Sequence, residues 1–205
     1  MRLVNHEIEI VDANCTGCYR CERACPTNAI TMVGPKQSAL AVVDNDRCIA
    51  CFRCIDSCDD DAMLARERDE PMLIETPLDS APEADVARLC REAGLDPELS
   101  VCLCSQTQAR EMAAAVLGGA ATFTDLALAT GAQSGCLLYC SVPMRRLLTA
   151  HLGHEPDESA SKLRRYPPMQ GVLEIPPEVA ERYPFFHIAQ EQAAARARLD
   201  ELETS

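Results

Sequence analysis

"CTGCYRCERACP" fills Cys15–Pro26, and "CIACFRCIDSCD" fills Cys48–Asp59. Both stretches space their thiols as Cys-x2-Cys-x2-Cys-x3-Cys, and Cys15/Cys48, Cys18/Cys51, Cys21/Cys54 and Cys25/Cys58 each lie 33 residues apart. A register kept over eight positions is an internal duplication. Each copy runs on through a short helical turn into an apolar stretch, AITMV at 29–33 and AMLA at 62–65, that reads as a strand. EIEIV at 7–11 alternates in the same manner and supplies an opening strand. Residues 1–68 are therefore expected to form a small two-fold α+β unit.

The eight-thiol run, with Pro26 after the first comb, resembles the bacterial-type 2x(4Fe-4S) ferredoxin family. The resemblance implies that the fourth thiol of each comb reaches across to the other cluster. Cys15, Cys18, Cys21 and Cys58 would then hold one 4Fe-4S cluster, and Cys48, Cys51, Cys54 and Cys25 the second. Zinc sites also use Cys-x2-Cys pairs, but a tetrahedral ion has no use for a third thiol at the same spacing. One departure stands out: Asp59 occupies the place of the second proline, and Asp60 and Asp61 follow it. Their charge is expected to lower the potential of the cluster held by Cys58. Tyr19 and Phe52 hold equivalent places beside the combs and are expected to shield the clusters from water.

The chain has 205 residues, 47% of them apolar, with only eight aromatics and no Trp, so its cores must be thin. Small units so built lean on metal or disulfides. The opening residues lack the basic start and apolar run of a secretion signal, and thirteen Cys is an odd number, so reduced thiols in the cytoplasm are expected. No run of about 18 apolar residues is present to span a membrane. A net charge of -13 argues against nucleic-acid binding and favours a partner with a basic docking surface. Residues 69–100 hold nine acids against Arg88 and Arg91, the composition of a solvated strip.

Pro71, Pro77 and Pro82 among acids predict a linker over 69–82. Beyond it, Val86, Leu89, Cys90 and Ala93 recur at helical spacing before Gly94. Cys90 on that stripe reads as a buried structural thiol. "VCLCS" brings Cys102 and Cys104, and a second helix carries Ala109, Met112, Ala113, Val116 and Leu117 up to Gly118-Gly119. Thr122 with Asp125 is a capping-box variant opening a third. Cys136 and Cys140 then precede a helix expected to place Pro143 at its first position, where the positive helix terminus favours thiolates. Residues 83–152 read as a compact all-helical module with four Cys converging from two turns.

"TDLALATGAQSGC" and the two Cys pairs resemble the bacterioferritin-associated-ferredoxin-like (BFD-like) 2Fe-2S domain. That resemblance implies a 2Fe-2S cluster on Cys102, Cys104, Cys136 and Cys140. The family's second pair is Cys-x2-Cys and here it is Cys-x3-Cys, so another iron-sulfur or zinc site, or none, stays open. His6, His151, His154 and His187 show no ligand spacing and read as surface or packing residues.

Residues 153–205 read as a Pro-rich docking tail, with "YPPM", "IPPE" and "RYPFF" before a terminal helix "HIAQEQAAARARLDELE". Tyr183, Phe185 and Phe186 are expected either to pack on the chain's own body or to dock a partner. No phosphate-binding glycine loop, nucleotide fingerprint or Ser-His-Asp pattern is present, so no catalytic residue is expected. The two resemblances together imply an electron-transfer protein, a subunit or dedicated partner of a cytoplasmic, flavin-dependent oxidoreductase within a hetero-oligomer. The rival expectation is an iron-handling or redox-sensing protein that docks an iron-storage shell, or one that delivers clusters.

Overall fold

The computed structural model describes residues 2–36, 38–76, 78–163 and 172–203. The chain divides into two units, Met1–Arg165 and Tyr166–Ser205. In the first, the elements run β1 (Arg2–Ile10), α1 (Arg20–Ala24), β2 (Ile30–Val33), β3 (Leu40–Val43), α2 (Arg53–Asp56) and β4 (Met63–Ile74). They continue as α3 (Glu83–Glu92), β5 (Ser100–Cys102), β6 (Thr107–Gln108), α4 (Ala109–Leu117), α5 (Phe123–Thr130) and α6 (Ser141–Leu152). Helices and small sheets are thus mixed, as an α+β chain requires.

The duplication in sequence is a duplication of backbone. Single 3-10 turns, Asp12–Asn14 and Asn45–Arg47, lead into the two combs. Left-handed residues repeat at the same interval: Gly17 and Ala50, Tyr19 and Phe52, Asn28 and Asp61. β1 pairs antiparallel with β4, and β2 with β3, so opening and closing strands of the repeat are zipped together. The small core beneath them consists of Ile8, Ala29, Ile30, Ala41 and Met63 together with Cys21, Cys25, Cys48 and Cys54. Four of those nine residues are cysteines.

Two boundaries differ from expectation. The stretch 69–82 is not a free linker, because β4 continues to Ile74 and pairs Met72, Leu73 and Ile74 with Val4, Leu3 and Arg2. Pro71 is tolerated since the register shifts between Val4 and His6, where its missing N–H interrupts no ladder bond. The connection that follows is pinned to α4: Thr76 Oγ1 donates to Glu111 Oε1 at 3.2 Å and Ser80 Oγ to the Ala114 carbonyl at 2.8 Å. The tail also starts later than residue 153. Gly153 caps α6, but Glu158 then accepts from the Phe123 N–H at 3.0 Å, and Leu163 is buried.

The module over 83–152 packs α3, α4, α5 and α6 around Met112, Phe123, Leu126, Met144, Leu147 and Leu148. Cys90 is fully buried in that core, and burial pushes its thiol up. Thr122 and Asp125 form the expected capping box. The module is not all-helical, because β5 and β6 make a short hairpin that carries Cys102. Pro143 sits third in α6 rather than first; this costs no bond, since first-turn N–H groups have no helical acceptor. Phe123 is 0% exposed, with the Arg145 guanidinium 5.6 Å from its ring centre. Phe123→Ala is expected to lower the module's stability by about 3–5 kcal/mol, read from urea unfolding followed by helical circular dichroism.

The second unit consists of a turn at Val172–Glu174, α7 (Pro177–Arg182), a turn at Pro184–Phe186 and α8 (Ile188–Glu203). Gln192 Nε2 ties α8 to the Val172 and Ile175 carbonyls at 2.9 and 2.8 Å. Phe185 and Phe186 are 85% and 67% exposed and touch edge to face. The "YPPM" stretch lies outside the described residues. Among the described residues no helix is long and apolar enough to cross a membrane.

Candidate metal centre

Two hollows open in the duplicated half. One is lined by Cys15, Cys18, Cys21 and Cys58, together with Tyr19 and Met32. The other is lined by Cys25, Cys48, Cys51 and Cys54, together with Ile8 and Phe52. Each hollow therefore takes three thiols from one comb and the fourth from the other, a consequence of β1 zipping to β4 and laying the two combs antiparallel.

The backbone around these thiols is shaped for negative charge. Alternating right- and left-handed residues turn successive N–H groups to one side, a concavity that suits anions and iron-sulfur groups. The left-handed Tyr19 and Phe52 do this at the entry to α1 and α2, and the left-handed Asn28 and Asp61 do it beyond the fourth thiols. Ala29 N–H donates to Cys25 Sγ at 3.2 Å and Ala62 N–H to Cys58 Sγ at 3.4 Å. Arg2 and Arg68 act on Cys48, and Arg53 on Cys51, but burial outweighs them. Burial pushes Cys21 and Cys51 up to about 11 and Cys54 up to about 12, so nothing in the polypeptide alone ionises them. A positively charged inorganic core would supply what the polypeptide does not, holding these sulfurs as thiolates.

The acidic run after Cys58 is divided. Asp59 forms an ion pair with Arg20, whereas Asp60 accepts from the Thr16 hydroxyl, at 2.7 Å, and lines the first hollow. The ion pair offsets the charge of Asp59, and of the three acids Asp60 is the one that lines the hollow. Asp60→Asn is expected to raise the potential of the cluster at Cys15, Cys18, Cys21 and Cys58 by more than Asp59→Asn does. Redox titration of the two variants decides; equal shifts, or none at Asp60, would count against it.

Cys102, Cys104, Cys136 and Cys140 do converge. The Cys140 thiol donates to Cys102, and that bond, aided by backbone N–H groups, holds Cys102 well below the usual thiol range; the same bond and burial push Cys140 up. Cys136 N–H donates to Cys104 Sγ at 3.5 Å, and N–H groups of Tyr139 and Leu138 lower the Cys136 thiol. A Cβ at Gly135 would lie 2.6 Å from Cys104 Sγ, so only glycine lets these two turns meet. Gln106, Gln133 and Leu137 are left-handed, repeating the N–H geometry of the first two hollows. Ser134 Oγ is buried with no hydrogen-bond partner among the described residues. Four thiols, left-handed turns and an unanswered hydroxyl fit a small group with sulfur acceptors. Cys102 and Cys140 are buried, whereas Cys104 and Cys136 are exposed.

Sequence reasoning missed what joins this site to the second hollow. Arg2 Nη2 donates to the carbonyls of Ile49 at 2.8 Å and Ala50 at 3.3 Å, inside the Cys48–Cys51 loop. The same guanidinium interacts electrostatically with Cys51, Cys102, Cys104 and Cys48. From the other side, Arg53 Nη1 donates to the Gly135 carbonyl at 3.2 Å. Thr124 Oγ1 adds a bond to the Pro26 carbonyl at 3.3 Å. No spacing rule marks Arg2 or Arg53, and the one sequence trace is Gly131, where a Cβ would lie 2.8 Å from Arg2 Cδ.

Among the described residues, no three His, Cys, Asp or Glu side chains converge tightly enough to hold a single metal ion. The thiols ring spaces instead of meeting at points. His6 rests edge to face on Phe52 at 5.6 Å, a packing role.

Comparison with curated proteins and with solved structures gave no match for the chain. Residues 14–71 do match a protein-family model, that of the 4Fe-4S dicluster domain, which suggests iron-sulfur electron transfer for this part of the chain.

Proposed function

We propose that the chain relays single electrons along a series of three iron-sulfur centres. Cys15, Cys18, Cys21 and Cys58 would hold one 4Fe-4S cluster, Cys25, Cys48, Cys51 and Cys54 the second, and Cys102, Cys104, Cys136 and Cys140 a 2Fe-2S cluster in a BFD-like site. One-electron uptake and release is the chemistry these clusters supply when bound. The single observation that carries the reading is the abutment of the third cysteine site on the second hollow through Arg2 and Arg53. It supports a linear order, with the second hollow between the other two sites. The first hollow meets solvent at the exposed Cys18, and the third site does so at Cys104 and Cys136.

The polypeptide's part is to bind, to exclude water and to present the ends. Phe52 and Met32 cover the hollows, and backbone N–H groups hold the sulfurs of Cys25 and Cys58. Around the third site Leu103, Leu138 and Tyr139 stand exposed, apolar neighbours of the two exposed thiols. The partner in this reading is a flavoprotein or other redox-enzyme subunit of the cytoplasm with a basic docking surface, assembled with this chain in a hetero-oligomer. The strongly negative net charge supports that choice.

The test is iron and acid-labile sulfide per chain, with EPR of the reduced protein, after anaerobic isolation. About ten irons are expected in the wild type and about eight in Gly135→Ala, whose new methyl group would collide with Cys104. About eight in the wild type would remove the third centre from the series. Co-purification with a flavoprotein at fixed stoichiometry supports the proposed partner, and a ferritin-type cage in its place would overturn it.

A further inference from the structure

Arg2 opens the first strand, far in sequence from any cysteine, yet its side chain ends between two cysteine sites. Its guanidinium is fixed by two carbonyls of the Cys48–Cys51 loop, and its aliphatic stem lies over Gly131, whose lack of a side chain gives it room. The strand below it is equally fixed: Arg2 pairs with Ile74, and Val4, Ile49, Ala50 and Ile74 form a small core of their own. An arginine cannot shed its charge in a protein, so a permanent positive charge stands where the second hollow and the third site meet. The first hollow is lined by Arg20, but that guanidinium pairs with Asp59 and its charge is offset.

We propose that Arg2 is a positioning residue for electron flow: its fixed charge stabilises the reduced state at the second and third centres relative to the first. This rests on the relay reading above. An added electron is more welcome beside a positive charge, and half-buried surroundings weaken the effect less than water would. Electrons entering at the Cys18 end would therefore collect at the junction and leave by the Cys104 and Cys136 rim. Arg53 completes the tie from the opposite side, and its Nε is buried without a hydrogen-bond partner among the described residues.

The experiment is a redox titration of the iron-loaded chain, followed by EPR, for wild type, Arg2→Gln and Arg2→Lys. The Cys18→Ala background serves to tell the two cubane signals apart. Arg2→Gln is expected to lower the potentials of the second and third centres, shifting one-electron exchange with the first centre by roughly tenfold. That is about 59 mV for one electron. Arg2→Lys, which keeps the charge but not the fork of donors, is expected to stay close to wild type. Equal shifts in the two variants would show that the bonds to Ile49 and Ala50 matter and not the charge, and would overturn the proposal. So would unchanged potentials in Arg2→Gln, or a shift of all three centres together. Failure of the relay reading is seen separately, as a wild type without a third EPR signal and with about eight irons.

Discussion

Cys58→Ala is expected to remove about four irons, and adding Cys18→Ala to it is expected to remove no more. Both residues line the same hollow although they come from different combs. Two lesions in one centre are strongly non-additive, because the second finds nothing left to break. Cys58→Ala combined with Cys51→Ala is expected to behave differently and to cost about eight irons, since Cys51 lines the other hollow. The mirror pair, Cys25 with Cys51 against Cys25 with Cys18, should give the same pattern. Iron analysis with EPR line counting checks all four. If Cys58→Ala and Cys51→Ala proved to be the non-additive pair, each comb would be serving its own centre.

Stripping the metal is expected to have the larger structural effect, and to have it on one half only. Four of the nine residues in the core under β1–β4 and β2–β3 are cysteines, and the aliphatic remainder is Ile8, Ala29, Ile30, Ala41 and Met63. So few methyl groups cannot offset the entropy of ordering about seventy residues. The module of α3, α4, α5 and α6 is built differently, around Phe123, Met112, Leu126, Met144, Leu147, Leu148 and Val116. After oxidative removal of iron, amides of β1 and β4 are expected to lose hydrogen-exchange protection by orders of magnitude while those of α4 and α6 keep theirs. Mass spectrometry of exchanged peptides reads this directly. Persistent protection in β1 and β4 would mean that the polypeptide holds the ribbon without its metal.

Much of this was legible in the chain. The 33-residue offset announced a two-fold unit, and the backbone repeats it down to its left-handed positions. The stripe of Val86, Leu89 and Cys90 and the Thr122–Asp125 cap fall on helices where periodicity put them. Proline misled over 69–82, because a two-stranded ribbon has free edges and a bulge where its missing donor is harmless. The Cys-x3-Cys spacing left the third site open, since whether four thiols meet depends on turns far apart in sequence, and Gly135 against Cys104 is a contact that no local rule contains. Arg2 and Arg53 were illegible for the same reason: their partners are carbonyls, which every residue has.

The exchange of fourth thiols between the combs has a consequence for how the molecule is made. The second hollow lacks its complete set of sulfurs until Cys54 has left the ribosome and the first until Cys58 has, even though Cys15 emerges some forty residues earlier. The closing strand, which sets the two combs against each other, appears only after that. Iron delivered to the nascent polypeptide would meet half-built sites, so loading belongs after synthesis of this half, as a single late event for both hollows together.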